Sequence, residues 1–171
     1  MSDKKLLVIT ASNGENLKLA ERFVVEGKKL NYSCQLLDLT ETKNDLPLFN
    51  PRHNSKDNAP ANLQSINLQM KNHSHWVICA PEYNGGSPPI LTNAITWVSL
   101  TTKNWRDCFI GKIALIGTNS GGDGLRFLAS FRSQLEYLGT IVVPKTISVN
   151  DKKKFNQDSA KRSIHSLIDL L

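Results

Sequence analysis

No apolar run in this chain of 171 residues is long enough to cross a bilayer as a helix. The first run, Leu6 to Thr10, gives way at once to polar loop residues and is too short for the core of a signal peptide. Such a chain is expected in the cytoplasm, with no membrane partner. Cysteine is scarce: Cys34, Cys79 and Cys108 are odd in number, far apart and set among apolar neighbours. That excludes a disulfide framework and predicts reduced, buried thiols. Aromatic residues make up only 7% and do not interleave with basic ones, so the stacking platforms of a single-strand nucleic-acid binder are missing. The net charge of +6 is spread along the chain, and its one run, Lys152-Lys153-Lys154, reads as a solvated loop ahead of a helix. Nucleic acid is not expected as a partner; attraction of an anionic dinucleotide is a simpler use of the charge. Repeats, low-complexity tracts and linkers are also absent, and the 40% hydrophobic content suits one domain, 1–171, with a real core.

What is present is a regular alternation of strand and helix periods. Leu6 to Thr10 is apolar enough for a parallel strand buried on both faces. Ser12 and Glu15 have the spacing of a capping box, Leu17, Ala20, Phe23 and Val24 fall on one helical face, and Gly27 marks the end of that helix. A second strand is expected over Tyr32–Leu39, a polar excursion loop over Thr40–Pro60, a helix over Ala61–Asn72 and a third strand over His75–Ala80. Pro88 and Pro89 suit a helix's first turn. Phe109, Ile110 and the run from Lys112 to Gly117 give the fourth strand, and Leu125, Leu128, Phe131, Leu135 and Leu138 one helical face. Thr140–Val143 gives the fifth strand, and Asn156–Leu171 a final helix with Ile164, Leu167, Ile168 and Leu171 on one side. Five such units predict an α/β, flavodoxin-like three-layer fold: a five-stranded parallel sheet of order 2-1-3-4-5 with helices on both faces.

In that topology the loops after strands 1, 3 and 4 meet at one sheet edge. The first, Thr10 to Asn16, runs into a helix N-terminus, where free amides and the helix dipole favour a phosphate; Ser12 and Asn16 can add side-chain hydrogen bonds. The second, Pro81-Glu82-Tyr83-Asn84-Gly85-Gly86-Ser87, and the third, Thr118 to Gly124 with Ser120, Gly121 and Gly122, allow close backbone approach to a flat polar ring. His73 and His75, two apart, lack a third ligand at metal spacing, so no metal is expected. Trp97 and Trp105 are left between core and subunit interface.

Pro81-Glu82-Tyr83-Asn84-Gly85, then Leu91, Asn93-Ala94-Ile95 and Trp97, resemble the NAD(P)H-dependent FMN reductase family, which includes quinone, azo-dye and chromate reductases. Gly121-Gly122, Gly124-Leu125-Arg126 and Tyr137-Leu138-Gly139 extend the resemblance. In the first loop the family's usual basic residue gives way to Asn13, Gly14 and Glu15, and Leu100 stands where an Arg is common. The resemblance implies FMN as cofactor, with NADPH or NADH as reductant. It implies that Ser12 and Asn16 hold the phosphate, that Pro81, Glu82, Tyr83, Asn84 and Gly85 line the ring and ribityl chain, and that Ser120, Gly121 and Gly122 touch the other ring edge. It further implies a small-molecule electron acceptor, a ping-pong cycle and a homodimer or homotetramer. No catalytic side chain is nominated, because the cofactor carries the hydride chemistry. The loop from Leu46 to Asn58 is expected to shape acceptor choice. Two rivals share the fold: an FMN electron carrier and a regulatory protein that lost tight flavin binding.

Overall fold

The computed structural model describes residues 5–170. A parallel sheet of order β2-β1-β3-β4-β5 lies at its centre. Its strands are β1 (Lys5–Thr10), β2 (Ser33–Asp38), β3 (His75–Cys79), β4 (Ile113–Asn119) and β5 (Ile141–Val142). A further strand, β6 (Ile147–Val149), also pairs with β4. The helices are α1 (Glu15–Lys29), α2 (Leu63–Asn72), α3 (Pro89–Thr101), α4 (Leu125–Tyr137) and α5 (Gln157–Ile168). Strand residues alternate between two separate cores. Leu6, Val8, Val77, Cys79, Ile113 and Leu115 pack with Phe23 of α1 and Ile164 of α5. Leu7, Ile9, Trp76, Ile78, Ala114 and Ile116 pack with α2, α3 and α4. Because both faces are covered, the period of two is invisible in the sequence and the strands read as continuous apolar runs.

Several boundaries differ from the sequence reading. The fifth sheet position is filled by two short strands. β5 pairs with Ile113–Ala114 and β6 with Gly117–Asn119. Between them, Pro144 cannot donate to the ladder, and the chain leaves the sheet after Val143 donates to the Ala114 carbonyl at 2.9 Å. Arg132 covers this edge by donating to the carbonyls of Val142 (3.0 Å) and Val143 (2.7 Å). Phe109 and Ile110 lie in a turn before β4. Leu125 is 66% exposed, and Phe127 takes its place in the core. Leu17 is only half-buried, and Leu19 sits inward instead. Gly27 lies within α1, not at its end: a Cβ there would stand 2.6 Å from Cys34 Sγ and 3.2 Å from Leu6 Cδ2. α1 and β2 pack closely at that point, which is why a glycine is tolerated in the helix. α5 is capped by Asn156, whose side chain accepts from the Ser159 amide at 2.7 Å. Leu171, assigned to its apolar face, lies outside the described residues.

Candidate functional site

The β1–α1 loop folds onto itself. Thr10 Oγ1 donates to the Ser12 carbonyl and the Gly14 amide to Ser12 Oγ, each at 3.2 Å. That short-range turn uses the Ser12 hydroxyl, so the capping box with Glu15 does not form. α1 starts at Glu15 behind Gly14, with no side-chain cap, and its first-turn amides face the sheet edge with the positive end of the dipole. Glu15 points outward, 61% exposed, and pairs with Lys18 at 2.6 Å. Asn16 is buried, and both ends of its amide go to one residue: Nδ2 donates to the Asn119 carbonyl (2.8 Å) and Oδ1 accepts from the Asn119 amide (2.7 Å). It braces the start of α1 against the end of β4.

In the β3–α3 loop, Tyr83 and Gly86 exchange backbone hydrogen bonds of 3.1 and 2.9 Å. Asn84 (φ 52°) and Gly85 (φ 75°) both occupy the left-handed region, which defines a type I′ turn and explains the Asn-Gly pair. The Tyr83 ring is half exposed beside it. Glu82 ties this loop to its neighbour twice. Its amide donates to Ser120 Oγ (3.0 Å), and its carboxylate accepts from the Phe127 amide (3.0 Å) in the first turn of α4. That helix has Gly124 at its N-cap. A Cβ at Gly124 would stand 2.5 Å from Thr118 Cγ2, at a φ of 62°. A side-chain cap is thus excluded sterically, and Glu82 supplies the acceptor from another loop.

The β4–α4 loop is buttressed from β6. Ser120 donates its amide to the Val149 carbonyl (3.2 Å), Ser148 Oγ donates to the Asp123 carbonyl (2.9 Å), and Asn150 Nδ2 donates to Asp123 Oδ1 (2.9 Å). Gly121 and Gly122 are exposed, and a Cβ on either would meet nothing. The three loops therefore form one braced edge. Within it, Ser12, Glu82 and Ser120 are half-buried, Pro81 and Asn16 are buried, and Tyr83, Asn84, Gly85, Gly121 and Gly122 present a largely open surface.

Asn93 and Trp97, one turn apart on α3, act elsewhere. Asn93 Oδ1 accepts from the Phe49 amide (2.8 Å), Trp97 Nε1 donates to the Pro47 carbonyl (2.7 Å), and Phe49 meets the Trp97 ring edge-on at 5.3 Å. They clamp the Leu46–Asn58 loop. Trp97 is fully buried and Trp105 is 43% exposed, which separates the two tryptophans. The sequence reading missed Asn119, Asn150 and the capping role of Glu82. Only Asn150 left a signal, as the polar stop after Ile147-Ser148-Val149.

His73 and His75 lie at the opposite end of β3. His73 Nδ1 contacts the Gln69 carbonyl at 2.7 Å, while burial and then Lys112 hold the His75 pKa below its ordinary value. Among the described residues no group of three or more His, Cys, Asp or Glu could hold a metal. Cys34, Cys79 and Cys108 are free, and only Cys34 is half-exposed. Burial pushes the Cys79 thiol far up and that of Cys108 to about 11.

Comparison with known proteins agrees with this fold. The quinone reductase of Escherichia coli K12 is 32% identical over 103 residues, covering 59% of this chain and 53% of that protein. The chain thus spans about half the length of the curated relatives it matches. FerB, a flavoenzyme NAD(P)H:(acceptor) oxidoreductase from Paracoccus denitrificans, superposes with a TM-score of 0.75 over 97% of this chain and 96% of its own, at 18% identity. The apo form of an NADH:FMN oxidoreductase, EmoB, superposes at 0.66 over 97% and 87%, also at 18% identity. These two likenesses establish the flavodoxin-like fold. A family model, NADPH-dependent FMN reductase, matches residues 4–154, and over that span the chain belongs to the NADPH-dependent FMN reductase family.

Proposed function

We propose that this chain is a single-domain, FMN-dependent oxidoreductase that passes hydride from NADPH or NADH to a small planar acceptor such as a flavin or a quinone. The observation that carries the reading is the braced edge, in which Asn16–Asn119, Glu82–Ser120 and Glu82–Phe127 lock three loops together. The residues there suit FMN. α1 offers amides that no side chain caps, and the nearby carboxylates are engaged, Glu15 with Lys18, Glu82 with α4 and Asp123 with Asn150. Gly121 and Gly122 leave open space that side chains would fill.

Ser12 and the first-turn amides of α1, including that of Asn16, hold the phosphate. Pro81, Glu82, Tyr83, Asn84 and Gly85 present backbone to the ring and ribityl chain, and Ser120, Gly121 and Gly122 border its far edge. Bound FMN supplies the hydride chemistry, in a ping-pong order in which acceptor follows nicotinamide at one face. The chain's own part is placement. Amides fixed by neighbouring loops need no reorganisation to stabilise developing negative charge, and the half-exposed Tyr83 ring walls the open side. The free cysteines suit a reducing, cytoplasmic setting.

A second copy of the chain fits against α4. Leu125, Ala129, Ser133 and Tyr137 recur every four residues on its exposed side, with small residues in the middle. That pattern lets two helices cross closely, next to the Tyr83 turn, where Arg126 Cδ lies 3.2 Å from the Cβ position of Gly85. Ala129→Glu should convert a dimer to a monomer by light scattering after size exclusion; an unchanged mass would remove α4 from the interface.

The activity is tested by titrating the purified chain with FMN and assaying NADPH and NADH oxidation with a soluble quinone. Saturable, equimolar flavin binding with nucleotide oxidation that needs both flavin and quinone is expected. Binding without nucleotide oxidation would leave an electron carrier instead.

A further inference from the structure

The basic residues concentrate in one stretch near the end of the chain, and the fold sets most of them on one surface. Between Lys145 and Arg162 lie six basic residues (Lys145, Lys152, Lys153, Lys154, Lys161 and Arg162) against Asp151 and Asp158, so this short segment accounts for four of the six net charges. Lys161 is partly exposed, with its Nζ 3.9 Å from the buried Glu26 carboxylate. The other five basic side chains are exposed. Lys145, Lys153 and Lys154 line one shallow concavity at the start of α5, and Lys145 and Arg162 line the adjoining one, so the basic surface is continuous. The backbone beneath is fixed. Asn150 Oδ1 accepts from the amides of Lys152 and Lys153 at 2.9 Å each, and Lys145 Nζ donates to Ser159 Oγ at 2.8 Å. The backbone of Lys152 and Lys153 is thus held in a fixed turn, and next to it Lys154 Nζ lies 3.5 Å from Asp151 Oδ1.

We infer that this face of β6 and α5 docks the protein on an anionic lipid surface. The charge fits such a surface, and the composition argues against other acidic partners. No large exposed apolar or aromatic side chain lies between Lys145 and Arg162 among the described residues, so the anchors that dominate specific protein interfaces are missing. The one aromatic, Phe155, is half-buried against Phe23 and Arg22 and offers no platform for a base. Hydrated lysine point charges need no matching geometry to be drawn to a negative leaflet. No described helix is long and apolar enough to cross a membrane, so the association is peripheral. It revises the expectation of no membrane partner, which rested on the lack of a spanning segment alone.

The position has a consequence that rests on the proposed function. Asn150, within the basic turn, also donates to Asp123 Oδ1 of the Gly-rich loop (2.9 Å). A docked protein would hold the rim of its flavin site beside the bilayer, where lipophilic quinones dissolve.

The test is co-sedimentation of the full chain with vesicles of phosphatidylcholine alone or with about 30% phosphatidylserine, at low and raised salt. Binding to the anionic vesicles only, and its loss at raised salt, is expected. Neutralising Lys145, Lys153 and Lys154 to Gln should weaken partition about a hundredfold. The same change at Lys43, Lys56 and Lys103, on other loops, should matter little. Circular dichroism checks that both variants fold. Equal binding to neutral vesicles, or equal losses in the two variants, would overturn the inference. So would tight binding of duplex DNA or polyglutamate without vesicle binding, which would reassign the face to those partners. Flavin and quinone are absent throughout, so the outcome is independent of the proposed activity.

Discussion

Removing the Glu82 carboxylate tests whether this residue braces the site or touches the ligand. In Glu82→Ala, the Phe127 amide at the start of α4 loses its 3.0 Å acceptor, and Gly124 cannot replace it. A charge-assisted hydrogen bond contributes about 1.5–3 kcal/mol, and a helix N-cap about 0.5–2 kcal/mol. Glu82 is half-buried, so solvent screening favours the lower part of these ranges, about 1–2 kcal/mol. For a chain of this size that lowers the melting temperature by roughly 2–8 °C. Glu82→Gln keeps an acceptor oxygen but loses the charge that favours a helix N-terminus, and should lose about half as much. The assay is urea and thermal unfolding in the absence of flavin, followed by FMN titration of each variant. Flavin affinity should fall in the order parent, Gln, Ala, because the Pro81–Gly85 loop loses its tie to α4. An Ala variant as stable as the parent without flavin, yet weaker in binding it, would refute the bracing role and make the carboxylate a direct flavin contact.

Other predictions follow from packing and charge. Gly27→Ala gains up to about 1 kcal/mol of helix propensity, but its Cβ meets Cys34 Sγ at 2.6 Å, and overpacking costs about 1–3 kcal/mol. Net destabilisation is expected in urea unfolding, and it should reverse in a Cys34→Ala background. Trp97→Phe loses the hydrogen bond to Pro47 and leaves a small cavity, costing about 2–3 kcal/mol and speeding limited proteolysis between Leu46 and Asn58. The folded-state pKa of His75 is depressed, so below about pH 6.5 the unfolded chain binds more protons. The His75 contribution is therefore complete above that pH and is lost as pH falls towards the folded-state value. His75→Gln should flatten this part of the urea stability profile, and an unchanged slope would assign the dependence elsewhere.

Strand order was legible because buried parallel strands announce themselves as apolar runs, such as Leu6–Ile9 and Trp76–Cys79, and because helices separate them. The fifth strand was legible too, as Thr140–Val143, but the short sixth strand that continues its position was not. Ile147-Ser148-Val149 is too short to show a period, and Pro144 hides its continuity with Ile141–Val142. Leu125 was placed on the buried face by spacing alone, whereas the start of α4 turns it outward and Phe127 inward. At the site, the composition of the loops after β1, β3 and β4 was readable from Gly, Pro and Asn content. Their bracing was not, because Asn16–Asn119 and Glu82–Phe127 join residues distant in sequence. Gly27 misled for a physical reason: an interior glycine that makes room for β2 looks the same as one that ends a helix.

The most direct test of flavin-dependent oxidoreduction is the visible spectrum of the FMN-loaded chain under anaerobic conditions, before and after NADPH or NADH and then after a quinone. Bleaching by a nucleotide and recovery on adding quinone, at rates fast enough to sustain turnover, are the predicted result. A chain that binds no FMN, or whose bound FMN ignores both nucleotides, would contradict it.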